Sequence, residues 1–392
     1  MHILHVIAGI DESGGGMSEV VPRLCEELVV QGHDVQILTL GWTRPSAATL
    51  RAEAAGVKVK YCTPSRRFPF PLSIAYSVDF AECVDRYVCE ADVIHLHGLW
   101  QWPCWKAART AIKRHKPFVM QTHGFLEPAR LARSKIRKKV MGCLIERQLL
   151  AAACRIIATA DSEKESIVKY GVKTLIEVVP IGMEVTEIDA GQRDEELLRR
   201  LGVPVGKKVV LFLSRLAPIK GLDLLADAWM RLKEFHDDWH LLIVGDDTQG
   251  YSKVVKQDYA RIVTDGSVSL PGPVYGRDKF NLLKSVEGFV LPTRSENFGI
   301  AVQEALAAGV PVVCTKGAPW GKIQDVGAGW WVDISVDGIE RGLRNMMSLS
   351  VEQRSNMGFC GRKFVIDDFG WKTIVAKQVS IYKQINHELN EV

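Results

Sequence analysis

The feature that most constrains the fold is an alternation of short β-rich apolar runs with longer amphipathic segments. In the first half of the chain residues 17–31 are amphipathic, and the short apolar runs are 3–8, 35–40, 57–61, 92–97, 118–122 and 156–160. Repetition of strand, helix and strand is typical of parallel βαβ units, which place helices on both faces of a sheet. The first half is therefore predicted to be a doubly wound α/β domain.

The same alternation restarts in the second half of the chain. The predicted strands there are 208–214, 240–244, 288–292 and 310–314, and the predicted helices are 221–235, 251–264, 300–308 and a segment from Trp371 onward. A chain of 392 residues is also longer than one hydrophobic core usually organises. A second α/β domain is therefore predicted.

The boundary between the two domains is expected where proline and glycine break the pattern, at residues 179–182. This gives an N-terminal domain over 1–182 and a C-terminal domain over 183–370, with a helix at 371–392 that packs back on the first domain. Open α/β sheets bind ligands beyond the carboxyl ends of their strands. Functional motifs are therefore expected directly after strands.

Composition and cysteine usage indicate a globular enzyme of the cytosol. Apolar residues make up 47% of the chain and charged residues 24%, which is ordinary for such a protein. The nine cysteines are scattered and form no C-x-x-C pair, which favours reduced thiols over a disulfide framework or a zinc site. The apolar start lacks the basic region of a signal peptide, and no run approaches the length of a membrane span. We expect a cytoplasmic protein.

Two cations lie on a short loop after the predicted strand 208–214. The loop reads S-R-L-A-P-I-K-G and contains Arg215 and Lys220. Cations held at the carboxyl end of a strand can neutralise a diphosphate. Two solvated surface charges are the alternative.

A second motif, S-E-N-F-G-I, follows the predicted strand 288–292 and opens a helix. The backbone N–H groups at the start of that helix form an anion site, and Gly299 lets the chain approach a phosphate closely. Glu304, one turn further on, is positioned to accept hydrogen bonds from a ribose diol, and Glu296 from sugar hydroxyls. A capping carboxylate and a solvated glutamate are the alternatives.

The two motifs together closely resemble those of the retaining GT4 family of glycosyltransferases. Glu296 and Glu304 form the pattern E-x7-E, with S-R-L-x-P-x-K-G upstream, and the resemblance extends along essentially the whole chain. It implies the GT-B architecture, with two Rossmann-like domains facing a central cleft. It also implies retaining transfer of a hexosyl unit from a UDP- or GDP-linked donor.

The resemblance implies a role for each matching residue. Arg215 and Lys220 match the pair that binds the pyrophosphate, Glu304 matches the carboxylate on the ribose, and Glu296 matches the carboxylate facing the donor sugar. The other positions implied to bind the donor are Asn297, Phe298, Gly299 and Ile300 at the helix start, Val274 in the base-side loop, and Gly15 and Gly16 in a glycine loop after the first strand.

The glycine loop is weak evidence without the resemblance, because three glycines in a row can form a turn with no ligand. Residues 14–16 do not have the G-x-G-x-x-G spacing of a dinucleotide-binding loop, which disfavours a dehydrogenase.

Two histidine motifs, H-L-H-G at 95–98 and T-H-G at 122–124, fall on or after predicted strands. Within the resemblance, His123 matches the position against the transferred sugar, which implies donor orientation and transition-state stabilisation. His97 and Trp100 are candidates for the acceptor side. Structural hydrogen bonding is the alternative for both histidines, and their spacing is not that of a metal site.

The expected mechanism needs no obligatory metal or other cofactor. Retention implies that the leaving phosphate oxygen deprotonates the acceptor, so that Arg215, Lys220 and the helix amides are the main catalysts. No D-x-D motif is present; the nearest pattern is Asp246-Asp247, which is expected to face the nucleotide or to cap a helix.

A basic segment indicates contact with an anionic membrane surface. Its cations are Arg130, Arg133, Lys135, Arg137, Lys138 and Lys139. The tryptophans at 100, 102 and 105 are candidates for an apolar acceptor surface. A solvated helix face and a tryptophan core are the alternatives. Nucleic acid is disfavoured because no recognition motif accompanies the charge.

The expected function is hexosyl transfer to a glycan or lipid-linked acceptor in surface polysaccharide or lipopolysaccharide synthesis, at the inner face of the cell membrane. Two alternatives remain. One is an inactive nucleotide-sugar-binding partner in a polysaccharide-assembly complex, and the other is a related enzyme acting on a small metabolite.

Overall fold

The computed structural model describes residues 1–11, 16–41, 43–65, 75–132, 145–247, 250–262 and 266–390. Contacts divide the chain into two compact units, residues 1–182 with 371–392, and residues 183–370. Some predicted site residues lie outside the described ranges: Gly15, Arg133, Lys135, Arg137, Lys138 and Lys139.

The first unit is built on a seven-stranded parallel sheet. Its strands are β1 His2–Val6, β2 Asp34–Leu40, β3 Lys58–Cys62, β4 Val93–His97, β5 Phe118–Gln121, β6 Arg155–Ala158 and β7 Ile176–Val178, in the order β3-β2-β1-β4-β5-β6-β7. Its helices are α1 Gly16–Val30, α2 Ala47–Ala54, α3 Val78–Glu90, α4 Trp102–Lys113, α5 Pro128–Ala132, α6 Arg147–Ala152, α7 Asp161–Tyr170 and, at the C-terminus, α17 Trp371–Asn390.

The sheet of this unit carries an apolar core on each face, because successive side chains of a strand point in opposite directions. Leu4 and Val6 of β1 pack in one core, and Ile3 packs in the other. The core around Ile3 includes α1 and residues of the C-terminal helix, among them Val375 and Tyr382.

The second unit is built on a six-stranded parallel sheet. Its strands are β8 Lys208–Leu213, β9 Trp239–Val244, β10 Val268–Gly272, β11 Gly288–Leu291, β12 Val312–Thr315 and β13 Gly329–Val332, in the order β10-β9-β8-β11-β12-β13. Its helices are α8 Thr186–Asp189, α9 Glu195–Arg200, α10 Leu222–Met230, α11 Ser252–Ile262, α12 Gly276–Ser285, α13 Ile300–Ala307, α14 Lys322–Asp325, α15 Val336–Met347 and α16 Val351–Phe369, and Pro218–Lys220 and Lys233–Phe235 form 3-10 turns.

The two doubly wound sheets confirm the predicted fold class. Sequence periodicity did not find the strands β7, β10 and β13, which lie at the edges of the sheets and are partly exposed, so they lack the continuous apolar run of a central strand. The predicted helix 221–235 is also shorter, since α10 ends at Met230. Within the described ranges no helix is both long and apolar enough to cross a bilayer.

Candidate functional site

The two motifs of the second unit follow neighbouring strands at the centre of its sheet. Strand β8 lies beside β11, and the strand order reverses between them, with β9 and β10 on one side and β12 and β13 on the other. Such a reversal opens a crevice beyond the carboxyl ends of the two strands, where doubly wound sheets bind ligands. The loops 214–221 and 292–299 therefore flank the expected ligand position of this unit.

Lys220 is fixed at the end of the first loop. The 3-10 turn Pro218–Lys220 ends at Gly221, which has a left-handed φ of 70°, and a Cβ there would lie 2.0 Å from the carbonyl oxygen of Pro292. Only glycine fits this close approach of the two loops. The Lys220 side chain is buried and forms an ion pair with Glu296, so the structure brings the two motifs together.

Arg294 joins the same two loops. Its backbone N–H donates to the Ile219 carbonyl at 2.8 Å, and its guanidinium donates to the Pro218 carbonyl at 2.9 Å. The guanidinium also makes a bidentate contact of 2.8 and 2.5 Å with Asp223 of α10, which lowers the pKa of that carboxyl. Sequence analysis missed Arg294, although it stands directly before the S-E-N-F-G motif.

The start of α13 is held by backbone contacts. The Glu296 N–H donates to the Gly317 carbonyl at 2.8 Å, and Trp320 Nε1 donates to the Phe298 carbonyl at 2.5 Å. The buried Phe298 ring packs edge-on against Trp320, with ring centroids 5.3 Å apart. Gly299, with φ of 88°, then begins the helix. The first amides of α13 are thus oriented before any ligand binds.

Glu304 forms an ion pair with a lysine of the same unit. Its Oε1 lies 2.5 Å from Nζ of Lys279, a residue of α12 that sequence analysis missed. No spacing pattern singles out Lys279, because it contacts Glu304 only through the packing of separate segments. The pair uses one carboxylate oxygen of Glu304, and the second oxygen has lone pairs that can accept further hydrogen bonds.

The other residues of this unit that were predicted to bind the donor are Arg215, Val274, Asn297 and Ile300. Arg215 is exposed, and we find no ion pair for it within the described part of the chain. Val274 lies in the short loop between β10 and α12, and Asn297 and Ile300 are partly buried at the start of α13. Asp247 lies shortly before α11, and its Oδ1 accepts the N–H of Tyr251, the residue before that helix begins, at 2.6 Å.

In the first unit, the structure brings His97 and His123 into contact. His97 is the last residue of β4 and is 0% exposed, whereas His123 lies in a turn after β5 with a left-handed φ of 48°. Nδ1 of His97 is 3.0 Å from Nε2 of His123, and Nδ1 of His5 is 2.8 Å from Nε2 of His97. The His97 ring is enclosed by these neighbours, which favours the structural hydrogen-bonding alternative over the predicted acceptor contact.

Burial keeps these imidazoles neutral. It lowers the pKa of His123 to about 3, with a smaller effect of the neighbouring Arg130 cation, and it lowers the pKa of His5 to about 3. The pKa of His97 is lowered well below its usual value for the same reason.

Glu163 of α7 holds the turn that carries His123. Its Oε1 accepts hydrogen bonds from the Thr122 hydroxyl and the Gly124 N–H, both at 2.5 Å. Its Oε2 accepts the N–H and the hydroxyl of Thr159, both at 2.7 Å. Sequence analysis missed Glu163; the available signal was a carboxylate in the first turn of a helix that directly follows a strand.

Trp100 and Trp105 belong to the core of the first unit, which favours the tryptophan-core alternative over the predicted acceptor surface. They are 9% and 7% exposed. The Trp100 N–H donates to Glu146 at 2.7 Å, and Trp105 Nε1 donates to the same carboxylate. Burial raises the pKa of Glu146 to about 7. Gly16 is exposed at the start of α1.

Family models match both units. Residues 14–187 match the model described as Glycosyltransferase Family 4, and residues 193–364 match the model described as Glycosyl transferases group 1.

Individual proteins are similar over nearly the whole chain. The GDP-mannose:cellobiosyl-diphosphopolyprenol alpha-mannosyltransferase of Xanthomonas campestris is 25% identical, with 97% of this chain and 96% of that protein aligned. The GDP-mannose-dependent alpha-mannosyltransferase of Mycolicibacterium smegmatis is 27% identical, with 94% of each chain aligned. Among solved structures, Anabaena HepE in complex with UDP and glucose has a TM-score of 0.74 at 18% identity and covers 100% of both chains, which shows a shared fold.

Proposed function

The chain belongs to the GT4-type glycosyltransferases of GT-B fold, and from that premise we propose that it transfers a hexosyl unit, with retention, from a UDP- or GDP-linked sugar to a glycan or lipid-linked acceptor. It is a glycosyltransferase. The donor, the stereochemistry and the acceptor are the proposed parts.

The ion pair between Lys220 and Glu296 carries the proposal. It places a buried cation and a carboxylate together where the strand order of the second sheet reverses, beside the helix start at Gly299. In our proposal the cation and the α13 amides bind the diphosphate and stabilise the charge that develops on it as it leaves. Glu296 orients the Lys220 ammonium and binds hydroxyls of the sugar, and the exposed Arg215 supplies a second cation.

Retention is favoured by the lack of a suitable base among the proposed site residues. Glu296 and Glu304 are both paired with lysines, and His123, with a pKa near 3, is a weak base at neutral pH. We propose that the leaving phosphate oxygen removes the acceptor proton, which requires attack on the face that the phosphate leaves and therefore preserves the anomeric configuration. His123 then acts as a hydrogen-bonding partner of the sugar.

The test is a donor screen by thermal shift and hydrolysis with UDP-, GDP-, ADP- and CMP-sugars, with and without a chelator. We expect one UDP- or GDP-hexose to raise the melting temperature of the protein. The same donor should be hydrolysed slowly, at an equal rate with and without chelator. Stabilisation without turnover, even with lipid-linked acceptors, would instead identify an inactive binding partner. A product with the anomeric configuration of the donor reversed would exclude retention.

We further propose a lipid-linked acceptor in surface polysaccharide or lipopolysaccharide synthesis. The Xanthomonas relative carries a diphosphopolyprenol in its name and aligns over nearly the whole chain, which supports an acceptor at a membrane. The basic segment from Arg130 to Lys139 would then bind anionic headgroups at the inner face of the cell membrane.

Replacing Arg137, Lys138 and Lys139 together with glutamine is expected to weaken binding to vesicles of phosphatidylcholine and phosphatidylglycerol. Each cation near an anionic surface contributes about 1 kcal/mol, so the combined loss is roughly a hundredfold at low salt. Vesicle sedimentation measures this directly. The matched control replaces three exposed lysines of the same unit, Lys164, Lys169 and Lys173. Equal binding by both triple variants would contradict the membrane proposal.

A further inference from the structure

Three buried histidines lie behind His123 on one face of the first sheet. His5 on β1 and His95 on β4 are register partners, and His97 is two residues further along β4 on the same face. All three rings are 0% exposed, and the rings of His95 and His97 are stacked with centroids 4.1 Å apart. Tyr382 of α17 closes the far side, with its hydroxyl 2.7 Å from Nδ1 of His95.

Hydrogen bonds join three of the imidazoles in a line. The line runs from Nδ1 of His5 to Nε2 of His97 and from Nδ1 of His97 to Nε2 of His123. A neutral imidazole has one N–H and one lone pair, so each hydrogen bond needs a donor on one ring and an acceptor on the next. The direction of the first bond therefore fixes the direction of the second.

We propose that His5 and His97 are positioning residues that set the tautomer of His123, so that His123 carries its proton on Nδ1 and meets the substrate as a hydrogen-bond donor. The identity of that substrate rests on the function proposed above. The tautomer itself depends only on the three rings.

The surroundings of His5 determine which ring donates and which accepts in each of these hydrogen bonds. Within the described residues Nε2 of His5 is buried and has no hydrogen-bond partner. A buried N–H without an acceptor is rarer in proteins than an under-used acceptor, so the His5 proton belongs on Nδ1. It is then donated to Nε2 of His97, which must carry its own proton on Nδ1 and donate it to Nε2 of His123.

As a consequence, Nδ1 of His123 carries the proton and is a hydrogen-bond donor. With Nε2 accepting from His97, the remaining proton of the neutral ring is on Nδ1, and the hydrogen bond at one nitrogen sets the role of the other. Sugar hydroxyl and phosphate oxygens accept hydrogen bonds, so this tautomer suits a nucleotide sugar. The low pKa of each ring, caused by burial, keeps all three neutral and the direction of the line defined.

A metal centre is the competing interpretation, because ring nitrogens of His5, His95 and His97 lie within 4.8 Å of one another. The hydrogen bonds argue against it. The 2.8 Å approach of His5 Nδ1 to His97 Nε2 is a hydrogen-bond distance and is shorter than the roughly 3.3 Å between two nitrogens on a tetrahedral zinc ion. Nδ1 of His95 is within hydrogen-bond distance of Tyr382.

The experiment is long-range proton–nitrogen NMR of the full chain labelled with 15N only in histidine rings, with signals assigned from single histidine variants. Nδ1–H and Nε2–H imidazoles give distinct nitrogen shifts. We expect the Nδ1–H pattern for His123 in the unmodified protein; an Nε2–H pattern there overturns the proposal whatever the variants do. Changes in the signals of His5, His95 and His97 on adding Zn²⁺ or a chelator would also overturn it, in favour of a metal centre.

Two variants of His5 separate tautomer control from packing. His5→Phe keeps a planar aromatic ring at this position and removes the hydrogen-bond donor, so the His123 pattern should become mixed or change to Nε2–H. Donor turnover should fall roughly fivefold, which corresponds to the loss of one hydrogen bond. His5→Asn places an amide N–H near the position of Nδ1 and should restore the Nδ1–H pattern. An unchanged His123 pattern in His5→Phe overturns the proposal. The NMR needs no donor, so a silent donor screen would count against the proposed function alone.

Discussion

Replacing Lys220 with alanine is expected to lower donor turnover roughly hundredfold, because the loss of one group that stabilises transition-state charge typically raises the barrier by about 3 kcal/mol. Lys220 is 6% exposed and is aligned by Glu296, so its ammonium loses little freedom when a diphosphate binds. The measurement is kcat/KM for the donor identified in the screen.

The matched control for this prediction is Lys316→Ala. Lys316 is an exposed lysine of the same unit, also paired with a carboxylate, Asp333 at 2.7 Å, and its loss should leave turnover nearly unchanged. A second comparison isolates the role of Glu296. If the defect arose only from an unpaired Glu296 carboxylate, adding Glu296→Gln to Lys220→Ala would restore activity. Normal turnover in the single variant, or recovery in the double variant, would exclude Lys220 as the diphosphate ligand.

Glu163→Gln is expected to lower the free energy of unfolding of the first unit by about 3 kcal/mol. Glu163 is 1% exposed, and its two oxygens accept from the backbone N–H groups of Gly124 and Thr159 as well as from two hydroxyls. A glutamine keeps one of these oxygens and puts an NH2 group where the other accepted, so one buried N–H loses its acceptor. Hydrogen bonds to a charged group contribute about 1.5–3 kcal/mol each.

The measurement is urea unfolding monitored together with hydrogen exchange of the Gly124 amide, which reports on the turn that carries His123. Faster exchange of that amide should accompany the loss of stability. Glu165→Gln is the control on the same helix; Glu165 is exposed and 3.7 Å from Lys169, so its replacement should change stability by less than about 0.5 kcal/mol. Equal unfolding midpoints for the two variants would show that Glu163 does not support the turn.

Sequence periodicity and local motifs predicted much of the fold and part of the site. Central strands such as β8 and β11 are almost uninterrupted apolar runs, so their positions and the doubly wound class were readable from the chain. The placement of Lys220 and Glu296 directly after strands was also readable. Edge strands such as β13 were not found, because partial exposure removes the apolar pattern.

The sequence by itself determined which segments become strands and helices and which residues follow the strands, because these depend on hydrophobic period and turn chemistry over a few residues. Only the tertiary structure decided which of those residues meet. Lys220 pairs with Glu296 because β8 lies beside β11, and His5 meets His97 because β1 lies beside β4. Strand order is set by how helices and strands pack together as a whole, and no local pattern encodes it. For that reason Lys279 and the hydrogen bonds among His5, His97 and His123 became visible only in the folded protein.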